Sequence, residues 1–442
     1  MGLVGAGRRR YGHGYRAPGS DWGGELSYDW AHGKRRVSGG GTVVTNATIQ
    51  AVNGLTARWA GASEGGTVFS AAGVWPLLAF LADGADGAAR AELAEAVGMP
   101  ADRSASAARE LLEAMGRMRG LDSALGLWTK RTLELRERWE AGLPAEAHGV
   151  LTGDKAADKA ALDAWAAKRT GGLIEGMPVQ VTPDTEMVLA SALALRTEWL
   201  RPFEDWPMWP ETGPWADRKL AGLYRRSALL DRVGVADTAA GHVTELKVYG
   251  DNAIDVHLLL GEEGMTPGQV LGAGVDILAR RVTVLPGPQL PYGEVGPGLN
   301  VVKVRSAEPK PPTLNVATVG FDIRALHDLL ELHKLFGLTT AMDTSRGHFP
   351  DISATTPLAV ESAKQSAMAR FTALGFRAAA VTAFGAVAGG VPQLRWITTR
   401  VNARFDRPFG FLAVHRHSRL VLSAGWVTEP AEHPEEPEYD ED

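Results

Sequence analysis

The 442-residue sequence contains no cysteine, and this absence removes several classes of chemistry. Without thiols the chain can form no disulfide bond, and it has no cysteine nucleophile and no thiolate ligand for a metal ion. The absence does not decide the cellular compartment, because secreted proteins without disulfides are common.

The chain also lacks a surplus of positive charge and a long apolar run. Its formal net charge of -6 argues against general nucleic-acid binding, and no apolar stretch has the length of a membrane span. The basic residues Arg8 to Arg10 are not followed by the apolar region of a signal peptide. Neither a phosphate-binding loop nor a dinucleotide fingerprint occurs in the strand and helix context that it needs. We therefore expect no cofactor, no bound metal ion, no association with a membrane and no nucleic-acid partner.

What is present is a globular composition with a different tail at each end. Apolar residues make up 45% of the chain and charged residues 22%, which allows a sizeable core. Residues 1–44 are rich in Gly and Arg, and we predict a disordered basic tail. Residues 431–442 are predicted to form a disordered acidic tail. The remaining residues, 45–430, show no internal repeat and are predicted to form one large domain.

Hydrophobic periodicity and capping residues predict a mixture of helices and strands. Helices are predicted at 45–60, 70–81, 87–97, 104–118, 156–169 and 323–335. Strands are predicted at 67–69, 123–128, 187–195, 243–248, 254–260, 313–321 and 361–371. We expect a turn with a short helix at 261–272 and a loop at 286–297, where Pro and Gly interrupt the pattern.

One stretch, from Gly375 to Ala383, combines small side chains with almost no charge. It has little side chain to bury as a permanent core strand and much backbone entropy to lose. It also lacks the charge that is typical of a disordered linker. Such a segment suits a loop that is exposed in one state and inserted between strands in another.

This stretch resembles the hinge and reactive-centre loop of the serpins, and other segments resemble the same family in the same order. They are Phe69-Ser70 with residues 77–98, Leu162 to Ile174, Arg196 to Phe203, Phe349 to Ser353, and Arg404 to Pro430. The sequence is therefore identified as a bacterial-type member of the serpin family. The resemblance implies an α+β fold with three β-sheets, about eight or nine helices and a reactive-centre loop near residues 375–403.

The resemblance also implies a function and a set of functional residues. Most serpins are suicide inhibitors of serine or cysteine proteases, and their cleaved loop inserts into the main sheet of a metastable fold. The implied hinge consists of Gly375, Phe376, Arg377, Ala378, Ala379, Ala380, Val381 and Thr382. The implied sheet-opening region contains Ser70, Ser191, Trp199 and Gln365.

Some of these positions depart from the family pattern. Ser191 stands where the family generally has Asn, and Gln365 where many members have His. Phe376 replaces a Thr or Ser, and a ring of this size either slows insertion or needs a preformed space. On insertion, the side chains would alternate between two faces. Phe376, Ala378, Ala380, Thr382 and Phe384 would face one way, and Arg377, Ala379, Val381 and Ala383 the other.

The usual spacing in the family places the scissile bond at Gly389-Gly390. A small residue there suits an elastase-like or subtilisin-like protease. The loop is longer than usual, so Arg395 is an alternative, and it would indicate a trypsin-like target. In either case we expect the protein to be a monomer with serine-type endopeptidase inhibitor activity and not to be an enzyme.

Three alternatives stay open from the sequence. The departures from the family pattern, above all Phe376, favour a serpin-fold binding protein that no longer inhibits. Ser63 lies in a Gly-x-Ser-x-Gly pattern, but a helix precedes it and a strand follows, which is the reverse of a nucleophile elbow. His415 and His417 could begin a metal site, although an exposed position on a strand explains both residues better.

The cellular location also stays open. The missing signal peptide favours the cytoplasm, whereas the family resemblance allows an extracellular location.

Overall fold

The structure is a computed structural model that describes residues 44–144, 148–177, 179, 181–183, 185–376 and 395–434. This part of the chain contains eight α-helices and three β-sheets. The predicted α+β fold with three sheets is confirmed.

The helices begin and end near the residues that capping rules indicate. They are α1 (Asn46–Ala62), α2 (Ala71–Gly84), α3 (Gly87–Val97), α4 (Ala101–Gly116), α5 (Glu137–Glu140), α6 (Lys155–Arg169), α7 (Pro267–Leu278) and α8 (His333–Phe336). Thr45 and Ser70 cap α1 and α2 by accepting hydrogen bonds from backbone nitrogens of the first turn. Gly98 ends α3 in the left-handed conformation that glycine adopts most easily.

Eighteen strands form the sheets. In chain order they are β1 (Thr67–Phe69), β2 (Leu121–Lys130), β3 (His148–Leu151), β4 (Met187–Leu195), β5 (Glu204–Met208), β6 (Leu220–Ser227), β7 (Val233–Thr238), β8 (Gly241–Val248), β9 (Ile254–Gly261), β10 (Val284–Pro286), β11 (Gly293–Gly296), β12 (Leu299–Ser306), β13 (Thr313–Val319), β14 (Phe321–Asp328), β15 (Ala363–Phe371), β16 (Trp396–Arg404), β17 (Phe409–His415) and β18 (Val421–Val427). The strand orders are β1-β18-β17-β9-β8-β7-β10 in a seven-stranded sheet, β11-β12-β16-β13-β6-β5 in a six-stranded sheet and β14-β15-β4-β2-β3 in a five-stranded sheet.

The five-stranded sheet has protein on both faces at its centre. Every residue of β4 is buried, which explains why its sequence is a continuous apolar run. Leu189 and Leu193 point into the main core that contains α2. Val188 and Ala190 point into a second core with Leu162 of α6. Helix α6 therefore covers one face of the sheet, as its resemblance to the family implied.

The helix predicted at 323–335 is wrong for most of its length. Residues 321–328 form β14, which pairs with β15 over eight positions, and only His333–Phe336 are helical. Ile323, Leu326 and Leu330 recur at helical spacing, but Phe321, Ile323 and Ala325 also alternate as in a strand. The pairing with β15 decides between the two patterns, because tertiary contacts override local propensity.

Smaller corrections concern four boundaries. The short helix predicted within 261–272 is the twelve-residue α7, which extends to Leu278. The loop predicted at 286–297 contains the end of β10 and all of β11. The loop predicted to reach residue 403 ends earlier, because β16 begins at Trp396 and pairs with β12. At the C-terminal end, Glu432 bridges to Leu220, so the folded chain extends past residue 430.

Candidate functional site

The candidate site lies at the end of the five-stranded sheet where β15 leads into the predicted reactive-centre loop. β15 and β4 are parallel neighbours, and they pair from Ala363 with Leu189 to Ala367 with Leu193. β15 then continues to Phe371, beyond the last paired position. The hydrogen-bonded ladder between the two strands therefore stops before the chain leaves the sheet.

Residues 372–376, which we call the hinge turn, carry the chain away from β15. The backbone nitrogen and the Oγ1 of Thr372 both donate hydrogen bonds to the Gly375 carbonyl oxygen, each 2.9 Å long. The Phe376 nitrogen donates to the Thr197 carbonyl oxygen at 2.8 Å. A side chain at position 375 would collide with that same oxygen. The close approach of the two backbones therefore requires glycine.

The segment after β4 holds the hinge turn from the other side. The backbone nitrogens of Trp199 and Phe203 donate to the carbonyl oxygens of Leu374 and Ala373, at 2.9 and 2.8 Å. The indole nitrogen of the buried Trp199 donates to the Thr372 carbonyl oxygen at 2.9 Å. Trp199 thus fixes the hinge turn by two hydrogen bonds.

Phe376 occupies a space that already exists in this state. Its side chain is only 2% exposed, and its ring centroid lies 6.1 Å from that of Phe411 in β17. Further ring contacts continue from Phe411 to Phe321 at 5.1 Å and from Phe321 to Phe371 at 5.4 Å. Phe371 in turn lies 4.9 Å from Trp199. These five rings connect the hinge turn with the seven-stranded sheet.

Sequence reasoning missed Phe321, Phe371 and Phe411 as parts of this site. Each lies on a strand whose apolar pattern indicates burial but not its partner across the sheets. The only local signal is a phenylalanine at the beginning of β14 and at the end of β15. Contacts between residues this far apart in sequence leave no periodic signature.

The structure describes only part of the rest of the predicted loop. Arg377 to Thr382 and the candidate scissile pair Gly389 and Gly390 lie outside the described residues. Arg395 is described and exposed, and it directly precedes β16.

Three of the four predicted sheet-opening residues meet in a buried polar cluster, which consists of Ser70, Gly73, Ser191 and Gln365. Gln365 accepts from the Ser70 nitrogen at 2.8 Å and donates to the Ser70 oxygen at 2.9 Å. Ser191 Oγ donates to the Gly73 carbonyl oxygen at 2.8 Å, and Ser70 Oγ donates to Leu422 in β18 at 2.6 Å. The cluster thus fastens β4, β15 and β18 to the start of α2, while Trp199 acts separately at the hinge turn.

His327 is the titratable side chain beside this cluster. It is the register partner of Gln365 across β14 and β15, and its Nε2 lies 2.8 Å from the Val68 carbonyl oxygen. Burial lowers the pKa of His327 even though that hydrogen bond favours the charged form. The imidazole is therefore neutral at pH 7, and its Nε2 donates to Val68.

The other candidate chemistries have no support in the geometry. Ser63 follows α1, and its Oγ donates to the Trp59 carbonyl oxygen at 2.8 Å. The strand that follows is β1, so the order of elements is the reverse of a nucleophile elbow. The rings of His415 and His417 lie 5.6 Å apart. No group of three side chains suited to bind a metal occurs in the part of the chain that the structure describes.

Three sheets, a covering helix over β4 and a hinge beside parallel strands define the architecture of the serpins. A family model described as "Serpin (serine protease inhibitor)" matches residues 48–208 and 304–430, more than half of the chain. The chain belongs to the serpin family.

Individual relatives are distant in sequence, but their matches extend over most of this chain. Human plasminogen activator inhibitor 2 is 24% identical over 334 residues, which cover 74% of this chain and 72% of the relative. The structure of human thyroxine-binding globulin superposes with a TM-score of 0.66 at 17% identity, and the match covers 88% of this chain and all of that chain. The native state of the thermophilic serpin tengpin gives a TM-score of 0.66 at 14% identity, with 87% and 94% coverage. The structural likenesses show the fold, the family model shows the family, and the bacterial-type assignment stays a prediction. No helix of the described ranges combines the length and the apolar character needed to cross a membrane.

Proposed function

We propose that this chain inhibits a serine or cysteine protease by the mechanism of its family. The protease attacks a bond in the loop and forms an acyl-enzyme, and the cut loop then inserts between β4 and β15. The observation that carries the proposal is the parallel pairing of these two strands, which stops at Ala367 and Leu193, five residues before the hinge turn.

The geometry of the sheet favours insertion of one more strand. A segment that turns back at the hinge turn would run antiparallel to β15 and, because β4 is parallel to β15, antiparallel to β4 as well. One parallel ladder would be replaced by two antiparallel ladders, which are slightly more stable per residue. About fifteen inserted residues would span about 50 Å, enough to carry an attached protease along the sheet. The intact loop is tethered at both ends, and cleavage removes that tether.

The side chains of the hinge support insertion. Those of Ala378, Ala380 and Thr382 would face the core, where small residues fit, and Arg377 would face water. The position with the largest side chain, Phe376, is already buried against Phe411. That burial belongs to the state before insertion, so the ring has to leave Phe411 when this part of the hinge enters the sheet.

The position of β16 favours Gly389-Gly390 over Arg395 as the scissile bond. Trp396 follows Arg395 directly and pairs with Ser306 in β12. A protease binds an extended stretch on both sides of the bond that it cleaves, and a strand held in a sheet cannot supply that stretch. Cleavage at Gly389 indicates an elastase-like or subtilisin-like target, and cleavage at Arg395 would indicate a trypsin-like one.

The test is a search for SDS-stable complexes with these proteases, using two variants that differ by one position. Ala380→Arg places a charge on the face that would enter the core, and it should convert the inhibitor into a cleaved substrate. Ala379→Arg is the matched control, because its side chain would face water as Arg377 does, and it should keep the complex. Equal behaviour of the two variants, or no complex with any protease of these classes, would contradict inhibition by insertion.

A second candidate is binding of a small molecule without inhibition, and Glu245 is the observation that favours it. Burial opposes ionisation of Glu245, but a hydrogen bond from His257 and the charges of His257 and Lys247 hold its pKa below the ordinary value. Its Oε2 lies 3.3 Å from the Lys247 Nζ, and the residue lines a cavity of about 510 Å³ with Tyr249 and Arg280. A charged carboxylate that lines a cavity favours a ligand with a hydrogen-bond donor or a positive charge.

Thyroxine is a suitable first probe, since a relative of the same fold is named for binding it. If the cavity binds such ligands, thyroxine should bind to the wild type and bind more weakly to Glu245→Gln. A lack of binding by thyroxine and by a panel of phenols and amines would remove this candidate.

A further inference from the structure

Three arginines lie together beside the hinge turn, and we call Arg201, Arg225 and Arg232 the arginine cluster. The Arg225 guanidinium stacks over the Phe203 ring, with 4.3 Å from its Cζ to the ring centroid, and donates a hydrogen bond to the Arg201 carbonyl oxygen at 2.9 Å. The Arg232 guanidinium lies 3.9 Å above the centre of the Tyr249 ring. These contacts fix the positions of the side chains of Arg225 and Arg232.

The arginine cluster lacks compensating negative charge. Within the described residues, the only ion pair of its three members joins Arg232 to Asp231 at 3.1 Å. Burial and the neighbouring charges of Arg201 and Arg232 lower the pKa of Arg225 to about 10. Like charges held together in a partly buried place cost free energy, and an anion between them would remove that cost.

Exposed apolar side chains flank the cluster on the side of the hinge turn. Leu200 is 58% exposed, and Leu374 of the hinge turn is 36% exposed. Leu200 follows Trp199, whose nitrogen donates to the Leu374 carbonyl oxygen. The Leu200 nitrogen donates to the carbonyl oxygen of Tyr249, whose ring lies under Arg232. A surface that combines guanidinium groups with leucines matches a peptide with both carboxylates and apolar side chains, whereas a sulfated polysaccharide offers only charge.

We propose that the arginine cluster, with Leu200 and Leu374, is a docking site for an acidic peptide segment of a protein partner, one that carries an apolar residue beside its carboxylates. Arg225 would bind a carboxylate through two parallel hydrogen bonds, which its planar fork allows. The apolar residue of the partner would cover the two leucines. The proposal does not depend on insertion of the loop.

The site can be tested on the full-length protein by fluorescence anisotropy with a labelled peptide that alternates Glu and Leu. Arg225→Gln should weaken binding at least about tenfold, because it removes a charge-assisted contact. Arg226→Gln is the matched control: the residue is exposed and next in sequence on β6, but its side chain points to the opposite face. It should change the affinity less than about twofold.

Further measurements distinguish an acidic peptide from other possible occupants of the site. Leu200→Ser should weaken the Glu-Leu peptide and leave an all-Glu peptide unchanged. Equal loss for Arg225→Gln and Arg226→Gln would overturn the proposal, as would binding of heparin but not of the peptide. Binding that occurs only after removal of residues 435–442 would also overturn it, since the acidic tail of the chain itself would then be the occupant. The melting temperature of Arg225→Gln should stay the same or rise, which excludes unfolding as the cause of lost binding.

Discussion

At the scale of single residues, Phe376 is the least expected feature of the hinge. The sequence suggested that a ring at this position either slows insertion or needs a preformed space. The structure provides the space, because the side chain is buried against Phe411. A buried anchor at the start of the loop has a second consequence, since it also stabilises the state in which the loop is not inserted.

We predict that Phe376→Thr lowers the melting temperature of the intact protein and speeds spontaneous loop insertion. The substitution removes most of a buried ring, and changes of this kind cost roughly 3–5 kcal/mol in a well-packed core. The measurement is the time course of conversion to a form of higher melting temperature during warm incubation. Val381→Thr, at a loop position whose side chain would face water, is the control and should leave the rate unchanged. A rate for Phe376→Thr equal to that of the wild type would show that the ring is no anchor.

His327 makes stability depend on pH in a predictable direction. Its folded-state pKa is lowered by burial, whereas in the unfolded chain it is near 6.5. The unfolded state therefore binds more protons as pH falls below about 6.5, and the stability of the fold decreases there. We predict that His327→Gln reduces the loss of melting temperature between pH 7 and pH 5.5. His333→Gln, at a solvent-exposed hydrogen bond to Thr339, should leave the loss unchanged. The same slope in His327→Gln and the wild type would contradict the assignment.

At the scale of elements, β4 and β15 must separate for the proposed mechanism to work. The absence of cysteine makes a direct test simple, because introduced cysteines have no competitors. Ala192 and Ser366 are register partners across the two strands, and neighbouring strands lie within the distance that a disulfide spans.

The double substitution Ala192→Cys and Ser366→Cys should therefore form a disulfide that holds β4 and β15 together and that a reductant can break. We predict that the oxidised protein is cleaved by its target protease without forming a stable complex, since no strand can enter. The reduced protein should behave as the wild type does, and it serves as the control. Trapping of the protease by the fully oxidised protein would mean that inhibition does not require these strands to part.

Elements with one strong local signal were predictable from the sequence. The bounds of α3 and β4 agree with the prediction, because glycine ends one and an unbroken apolar run defines the other. β14 was not predictable in this way, because the same residues fit a helix and a strand and only the pairing with β15 decides. The hinge residues were identified by resemblance, whereas the contacts of Phe321 and Phe411 and the stacking in the arginine cluster depend on chain folding over long sequence distances.

At the scale of the whole molecule, the central claim is that the intact protein is less stable than the form with its loop cut. The parallel pair β4 and β15 has only five paired positions, although each strand is nine residues long. An inserted strand would begin at the hinge turn and pair with β15 on one side and β4 on the other. The gain would come from new ladder hydrogen bonds, each contributing about 0.5–1.5 kcal/mol net.

The most direct measurement is a thermal melt before and after the loop is cut between residues 384 and 394 with a small amount of subtilisin or elastase. We predict a rise of about 10 °C, because about a dozen new ladder bonds would add roughly 6–18 kcal/mol, and such a shift requires about 8 kcal/mol in a domain of this size. An unchanged or lowered melting temperature would contradict insertion. It would exclude inhibition by trapping and leave binding by the folded surface as the function of this serpin.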